Sequence, residues 1–426
     1  MADNIFADNH ARGAVPTSEL VSGASLAIVL VGLMLTLPMF VLGGEVISGL
    51  GAKRGAAAIA AAGLIVAVLA SVTGFVGEKT RLSTYSIIIA PFGTIGARLL
   101  TALLASVAVG WFGVTVGFFG AAVDTAMQEV AGADFPVWAY SLGGGALMTG
   151  TVLFGFKGID LLNRIAVPLL ALVLIWSGVK LLGEVSWAEL LATPAKTDGA
   201  ITSFGLGVSA TLGILAGVAG GMPDLTRFAR RARDVYVACL LSFASLSMGF
   251  TVLAGAPSLM TGSADFTANL IAVGLGAPAL ATLILATWTT NIINLYAASL
   301  SLGRLTRAPD WLLTLGAGAA GTGFALAGAT QIFIGLLLVI SALIPPIAGV
   351  YVTHFFLTGE AGEVEGEGRK LRASAFAAWG LGGATALTTT FTPAALTSVP
   401  AIDAFAVAAI VYALATLALR RAVKAP

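Results

Sequence analysis

Charge is scarce throughout this chain, and the scarcity constrains its fold more than any other feature. Only 10% of the 426 residues are Asp, Glu, Lys or Arg, whereas soluble domains carry about 25%. Hydrophobic residues make up 58% of the sequence, and the mean hydropathy is +0.97. The polar groups are too few to cover the surface of a folded chain of this length. Most of that surface therefore faces lipid. The composition excludes a soluble globular protein and predicts an integral membrane protein.

The same composition excludes several functional classes. A net charge of +1 without long basic runs argues against a nucleic-acid partner. The single cysteine, Cys239, allows neither an internal disulfide nor a thiolate metal cluster. A membrane enzyme needs titratable groups clustered at one membrane face, but His10 falls in the N-terminal tail and His354 near a helix end. A channel is disfavoured because rings or repeats of polar pore residues are missing from the sequence.

Successive apolar segments predict an all-α protein with twelve membrane spans. Each segment has roughly the 20 apolar residues that a helix needs to cross the hydrocarbon. Glycine is abundant, with 53 residues, which predicts closely packed or broken helices. The predicted spans are 23–44, 56–77, 96–122, 139–156, 161–182, 202–222, 234–257, 269–302, 312–329, 332–357, 373–390 and 402–419.

Positive charge is divided unevenly between the two ends of these spans. With the N-terminus inside, 18 of the 22 Lys and Arg residues fall on the cytoplasmic side. Cytoplasmic loops retain positive charge, so both termini are predicted to be cytoplasmic and the protein to lie in the cell (cytoplasmic) membrane. Residues 1–22 and 420–426 form the predicted tails.

Helix-breaking residues recur five spans apart. Span 1 carries Pro38 and the pair Gly43-Gly44 at hydrocarbon depth, and span 6 carries glycines from Gly213 to Gly221 followed by Pro223. Backbone groups freed at this depth persist only where they line a polar cavity or bind something. Paired broken helices indicate an inverted-repeat transporter with a site near the midplane. Gly-rich packing faces with ordinary Pro kinks are the alternative.

Polar residues in span 8 indicate a cation site. Thr289 and Thr290 offer neutral hydroxyl oxygens, and carbonyls opened near Gly32 and Leu35 in span 1 complete a shell suited to Na⁺. Alternatively, each hydroxyl donates back to its own helix at i−4. The carboxylates of Glu45, Asp124, Asp224 and Asp403 all lie near predicted interfaces, and an Asp224–Arg227 ion pair is expected at a helix end.

A flat ligand is indicated by Trp111, which lies inside span 3 between Gly110 and Gly113. An indole face inside a cavity provides a stacking platform for an aromatic ring. Asn291 and Asn294 in span 8 suit an amide-like or heterocyclic edge. Core packing of the Trp and interhelical hydrogen bonds of the Asn pair remain open alternatives.

Together these motifs resemble the nucleobase/cation symporter family of purine and pyrimidine permeases, most closely its cytosine permease branch. The resemblance covers nearly the whole chain. It rests on the order and spacing of Gly43-Gly44, Gly110 to Val114, Asp224 to Phe228, Trp288 to Asn291 and Ile344 to Pro346.

The resemblance implies a LeuT-like five-plus-five inverted repeat of the APC superfamily, with discontinuous helices 1 and 6. Residues 23–182 then form the first repeat and 202–357 the second, with spans 11 and 12 appended over 373–419. It also implies a substrate stacked on Trp111 and hydrogen-bonded to Asn291. The resemblance further implies a sodium ion held by the carbonyls of Gly32, Leu35 and Ala286. The hydroxyls of Thr289 and Thr290 complete its ligands.

Three departures from the cytosine permease branch concern the substrate. Ala108 stands where that branch has a Gln, Leu215 where it has a Phe, and Gly217 where it has a Ser. A lost amide and a lost ring predict recognition of a base other than cytosine. Thr115, one turn after Trp111, is a candidate for a replacement polar contact.

The function predicted from the sequence is symport of a small neutral heterocycle with Na⁺ by alternating access, without an organic cofactor. Proton coupling through Glu45 or Asp124 is one alternative. An amino-acid or amine transporter of the same fold is another.

Overall fold

A computed structural model describes residues 14–132, 135–154, 157–195, 199–359, 371–392, 396–397 and 399–424. Parts of both predicted tails, residues 1–13 and 425–426, lie outside these ranges. The described chain is almost entirely helical, with a single isolated β-bridge between Val21 and Ala229 in that part of the protein. The all-α prediction is confirmed.

The first predicted repeat contains six helices: α1 Gly23–Met34, α2 Leu37–Leu50, α3 Ala52–Thr80, α4 Thr84–Ala131, α5 Val137–Phe154 and α6 Lys157–Glu184. A short helix, α7 Trp187–Ala192, follows. The second repeat contains α8 Phe204–Gly220, α9 Met222–Thr226, α10 Ala232–Cys239, a π-helical turn over Leu240–Leu246, α11 Ser247–Gly255, α12 Ser258–Thr261, α13 Phe266–Ala272, α14 Gly276–Gly303, α15 Asp310–Leu326, α16 Phe333–Leu343 and α17 Pro345–Thr358. The chain ends with α18 Ala373–Phe391 and α19 Pro400–Lys424.

Every predicted span overlaps one of these helices or a helix pair. Six helical stretches in the described chain are long and apolar enough to cross a membrane, and a bent pair brings the number to seven. Twelve spans therefore stay a prediction. Two long segments are interrupted: α4 kinks at Gly93, where φ is 78°, and predicted span 8 is divided at Val273–Leu275 into α13 and α14.

Span 1 is broken, as predicted, but ahead of the glycine pair. Helices α1 and α2 meet at an angle of 69° across Leu35 and Thr36, and Pro38 lies in the first turn of the second helix, which begins at Leu37. Gly43 and Gly44 lie inside continuous helix. A Cβ on Gly43 would collide with the Thr251 carbonyl, and one on Gly44 would lie 2.9 Å from the Ala264 carbonyl. The pair therefore permits close helix packing, which was the alternative interpretation for these residues.

Span 6 is also broken, at Gly221 between α8 and α9. Gly213 lies in continuous helix, where a Cβ would collide with the Leu337 carbonyl of α16. The break falls where Pro223 removes a backbone donor from the first turn of α9.

Helix contacts divide the core into two groups. Spans 1, 2, 6 and 7 pack mainly against one another and form a bundle (α1–α3 and α8–α11). Spans 3, 4, 8 and 9 form a second group, the scaffold (α4, α5, α14 and α15). Few contacts join α2 or α9 to α4, so the interface between the groups is open. The appended α18 and α19 pack on each other and on α16 and α17.

The packing at Gly43 gives a stability prediction. Gly43→Ala should destabilise the protein by about 1–3 kcal/mol, because the added methyl group overpacks the contact with the Thr251 carbonyl. The measurement is thermal unfolding in detergent, followed by reaction of a thiol dye with the buried Cys239. Gly249→Ala is the matched control, because nothing lies within 4 Å of a Cβ at Gly249. Equal midpoints for the two variants would contradict the packing role.

Candidate functional site

A cavity of about 340 Å³ lies between the bundle and the scaffold. Its walls come from both sides of the span 1 break, from spans 3, 6 and 8, and from the helical turns just before Gly93. The lining is mostly apolar. A concave, apolar site with a few polar groups is the usual form of a small-molecule site, so this cavity is the candidate site.

Five of the six predicted substrate residues line this cavity, namely Ala108, Trp111, Thr115, Leu215 and Gly217. Nothing lies within 4 Å of a Cβ built on Gly217, so the span 6 wall leaves open space at this residue.

Asn291 does not line the cavity. Its side chain is fully buried, and its Nδ2 lies 3.1 Å from the Phe112 carbonyl oxygen and 3.3 Å from Met148 Sδ. These contacts join span 8 to spans 3 and 4, which is the interhelical role that the sequence left open. The cavity is lined instead by Asn294, one turn later, whose Nδ2 donates to Asn291 Oδ1 over 3.2 Å.

Trp111 is held by an aromatic neighbour that the sequence did not single out. The Phe333 ring lies 6.1 Å from the Trp111 ring at an interplanar angle of 77°. The Phe118 ring also packs on Phe333, with the ring centroids 5.1 Å apart and an interplanar angle of 88°. A signal was present in the apolar start of span 10, but the sequence does not show that this segment folds against span 3.

Four threonine hydroxyls of the cavity, in spans 3 and 8, donate to their own helices. Thr115 Oγ1 lies 2.8 Å from the Trp111 carbonyl oxygen, and Thr290 Oγ1 lies 2.8 Å from that of Ala286. Thr101 and Thr287 make the same i−4 bond. Each proton is therefore used, but each oxygen keeps a lone pair as an acceptor. Such an oxygen suits a cation or an N–H donor.

The span 1 break frees two of the predicted ligand carbonyls. The Thr36 amide, which would donate to Gly32 in a continuous helix, donates instead to the Met34 carbonyl. The Met39 amide, the helical partner of Leu35, donates to the Thr36 carbonyl. Within the described chain, no other donor replaces them at Gly32 or Leu35. Two carbonyl oxygens without amide partners at membrane depth have the chemistry of a hard-cation site.

The remaining predicted sodium ligands are placed as follows. Leu35 and Ala286 are buried in the same apolar cluster. Thr290 lines the cavity together with Met34 and Thr36 of the break. The side chain of Thr289 lies outside the described part of the chain, although its backbone is helical.

Charge in the described cavity lining is confined to one end. Asp224 accepts a hydrogen bond from the Thr84 amide over 3.0 Å, and the Arg304 guanidinium lies 5.6 Å from the Tyr85 ring centroid. Arg227 Nε donates to the backbone carbonyl of Asp224, 3.2 Å away. Around Trp111 the described lining residues are uncharged, and neither Glu45 nor Asp124 is among them.

A bundle with a broken first helix packs beside a scaffold, with a cavity between them, which is the arrangement of a LeuT-like membrane fold. The inward-facing conformation of Mhp1 superposes with a TM-score of 0.84 at 18% identity, over 97% of this chain and 94% of that one. Mhp1 in a closed conformation with bromovinylhydantoin bound gives 0.78 at 18% identity, over 97% and 96% of the two chains. A Na⁺-coupled sialic acid symporter gives 0.63 at 12% identity, over 97% and 93%.

Sequence comparison identifies the family. The model of permeases for cytosine/purines, uracil, thiamine and allantoin matches residues 15–392. Cytosine permeases of Escherichia coli K12 and O157:H7 are 31% identical over 355 residues, covering 82% of this chain and 81% of each relative. The chain belongs to this family of nucleobase/cation symporters, in its cytosine permease branch. It is a multi-pass membrane transporter and not an enzyme.

The different positions of the two asparagines can be tested by labelling. In a Cys239→Ser background, which removes the only cysteine, Asn294→Cys should react with a water-soluble maleimide because residue 294 lines the cavity. Asn291→Cys should react at least tenfold more slowly because residue 291 is fully buried. Mass spectrometry of the intact protein measures both rates. Comparable labelling at the two residues would contradict the arrangement.

Proposed function

We propose that this protein takes up a nucleobase or a related flat, neutral heterocycle together with Na⁺. The observation that carries the proposal is one cavity lined by Trp111, Asn294 and the open break of span 1. The cytosine permeases at 31% identity support the substrate class, and the structurally similar Mhp1 was solved with a bound hydantoin.

The polar groups of the cavity favour a ligand with a lactam-like edge. Asn294 uses one Nδ2 proton on Asn291, which leaves its second N–H as a donor and its Oδ1 as an acceptor. The oxygens of Thr115 and Thr290 add acceptors. An adjacent N–H and C=O on a ring match this set, and the indole of Trp111 provides the stacking surface.

Ala108, Leu215 and Gly217 form a further part of the wall, and none of them has a side chain that forms hydrogen bonds. Gly217 leaves open space at the span 6 wall. This wall favours a base or hydantoin with an apolar substituent over cytosine itself. The lack of charged described lining residues around Trp111 favours an uncharged ligand.

Sodium is favoured over protons because the groups available near the break are neutral oxygens. The carbonyls of Gly32 and Leu35 lack their helical donors, and the Thr290 oxygen keeps a lone pair beside its bond to Ala286. We propose these atoms, with the Ala286 carbonyl and the Thr289 hydroxyl, as the Na⁺ ligands. Proton coupling would need a titratable group at this place, and Glu45 and Asp124 do not line the cavity.

Transport follows from rocking of the bundle against the scaffold, with Na⁺ joining span 1 to span 8. The cavity extends to the end that carries Arg304 and Asp224, which is the side predicted to be cytoplasmic from the 18 positive charges. The conformation is therefore assigned as inward-facing in the cytoplasmic membrane, with both termini inside. The higher TM-score to inward-facing Mhp1 than to its closed form supports this assignment.

Substrate class can be tested on purified protein. A thermal-shift screen of nucleobases, hydantoins and amino acids should give stabilisation by heterocycles only. Trp111→Leu should weaken binding of the best heterocycle at least tenfold, because Leu keeps apolar bulk but removes the stacking face. Trp379→Leu is the control, because Trp379 lies in α18 and bonds the Leu343 carbonyl outside the cavity. Stabilisation by amino acids that persists in Trp111→Leu would favour the amino-acid transporter instead.

The coupling ion can be tested in proteoliposomes with the labelled heterocycle found by that screen. Uptake should require an inward Na⁺ gradient, and Thr290→Val should raise the Na⁺ half-saturation at least tenfold, about 1.4 kcal/mol. The double variant Thr289→Ala/Thr290→Ala should abolish Na⁺ dependence. Thr149→Val is the matched control, because Thr149 is buried and makes the same i−4 bond but does not line the cavity. Uptake driven by a pH gradient alone, with unchanged Na⁺ response in these variants, would overturn sodium coupling.

A further inference from the structure

The two broken spans differ in whether another donor satisfies the carbonyls that lost their helical hydrogen bonds. The span 6 break also removes helical donors, because Pro223 has no N–H to offer Ala219, and the Asp224 amide donates to Gly221 instead of Gly220. At span 1 the corresponding oxygens of Gly32 and Leu35 have no replacement donor in the described chain. At span 6 both carbonyls are satisfied by side chains from other helices.

Thr73 of span 2 and Tyr351 of span 10 provide these donors. Thr73 Oγ1 lies 2.8 Å from the Ala219 carbonyl oxygen, its nearest acceptor, and 2.9 Å from that of Leu69 in its own helix. The Tyr351 hydroxyl donates to the Gly220 carbonyl over 2.9 Å. Both side chains are 1% exposed. The large majority of buried polar side-chain atoms are hydrogen-bonded in native proteins, so we treat these contacts as part of the native packing.

The turn of α8 that accepts these two hydrogen bonds is also part of the cavity wall. Residues 217–220 form the last turn of α8, and Gly217 and Val218 line the cavity. Neither Thr73 nor Tyr351 is among the cavity residues, so the two hydroxyls contact this wall from behind.

We infer that Thr73 and Tyr351 are positioning residues that hold the span 6 wall of the substrate site. Their hydrogen bonds to the Ala219 and Gly220 carbonyls form a clamp on the last turn of α8. At the span 6 break, side-chain hydroxyls of the protein satisfy the freed carbonyls. At the span 1 break, the freed carbonyls are available to the proposed cation. The inference rests on the proposed function only for its substrate readout, because the clamp itself is independent of what is transported.

Hydrogen–deuterium exchange tests the clamp without transport. In Tyr351→Phe and Thr73→Val, peptides covering 217–228 should exchange at least fivefold faster than in the wild type, because loss of a donor leaves a carbonyl unsatisfied and loosens the turn. Thr73→Ser should restore slow exchange. Tyr412→Phe and Thr149→Val are matched controls: each removes a buried hydroxyl, one bonded to His354 and one to its own helix. Unchanged exchange in both Tyr351→Phe and Thr73→Val would overturn the clamp.

Uptake kinetics separate positioning from a general structural effect. Both clamp variants should raise the substrate half-saturation at least fivefold and change the Na⁺ half-saturation by less than twofold, because they act on span 6 and not on span 1. An equal loss of substrate and Na⁺ affinity would overturn the positioning role. If wild-type protein transports no heterocycle, the proposed function fails, while the exchange measurement still decides the clamp.

Discussion

Backbone carbonyls inside the hydrocarbon must be satisfied, and the core of this transporter is arranged around two places where a helix stops satisfying them. At Leu35–Thr36 and at Gly221 the chain gives up helical hydrogen bonds that are expensive to lose in lipid. One interruption borders the cavity at Met34 and Thr36, and the other is met by hydroxyls from neighbouring helices. The cavity borders both interruptions, and the ion site and helix movement proposed above depend on them.

Much of the fold was predictable because a membrane-spanning helix needs a long apolar segment, and such segments are recognisable in the sequence. Apolar length located the helices, and Pro38 and Pro223 marked the two breaks to within a few residues. The role of Gly43-Gly44 could not be predicted from the sequence. A glycine that frees the backbone and a glycine that admits a neighbour look alike in sequence, and only the Thr251 carbonyl beside Gly43 distinguishes them.

The candidate site was predictable in its residue types more than in its geometry. Trp111 lines the cavity, as its position inside span 3 indicated. Asn291 and Asn294 differ by one helical turn, and the side that faces the cavity depends on how span 8 is rotated against span 3. No periodicity within one helix fixes that rotation. Phe333, Thr73 and Tyr351 were missed for a related reason, since each acts across spans that are distant in sequence.

The hydrogen bond from the Thr84 amide to Asp224 joins the bundle to the start of α4, and so to the scaffold. A carboxylate at a helix N-terminus is stabilised by the free amides there and by the helix dipole. In the transport cycle proposed above, any movement that separates α9 from α4 gives up this stabilisation. The strength of this bond is therefore part of the energetic cost of that movement.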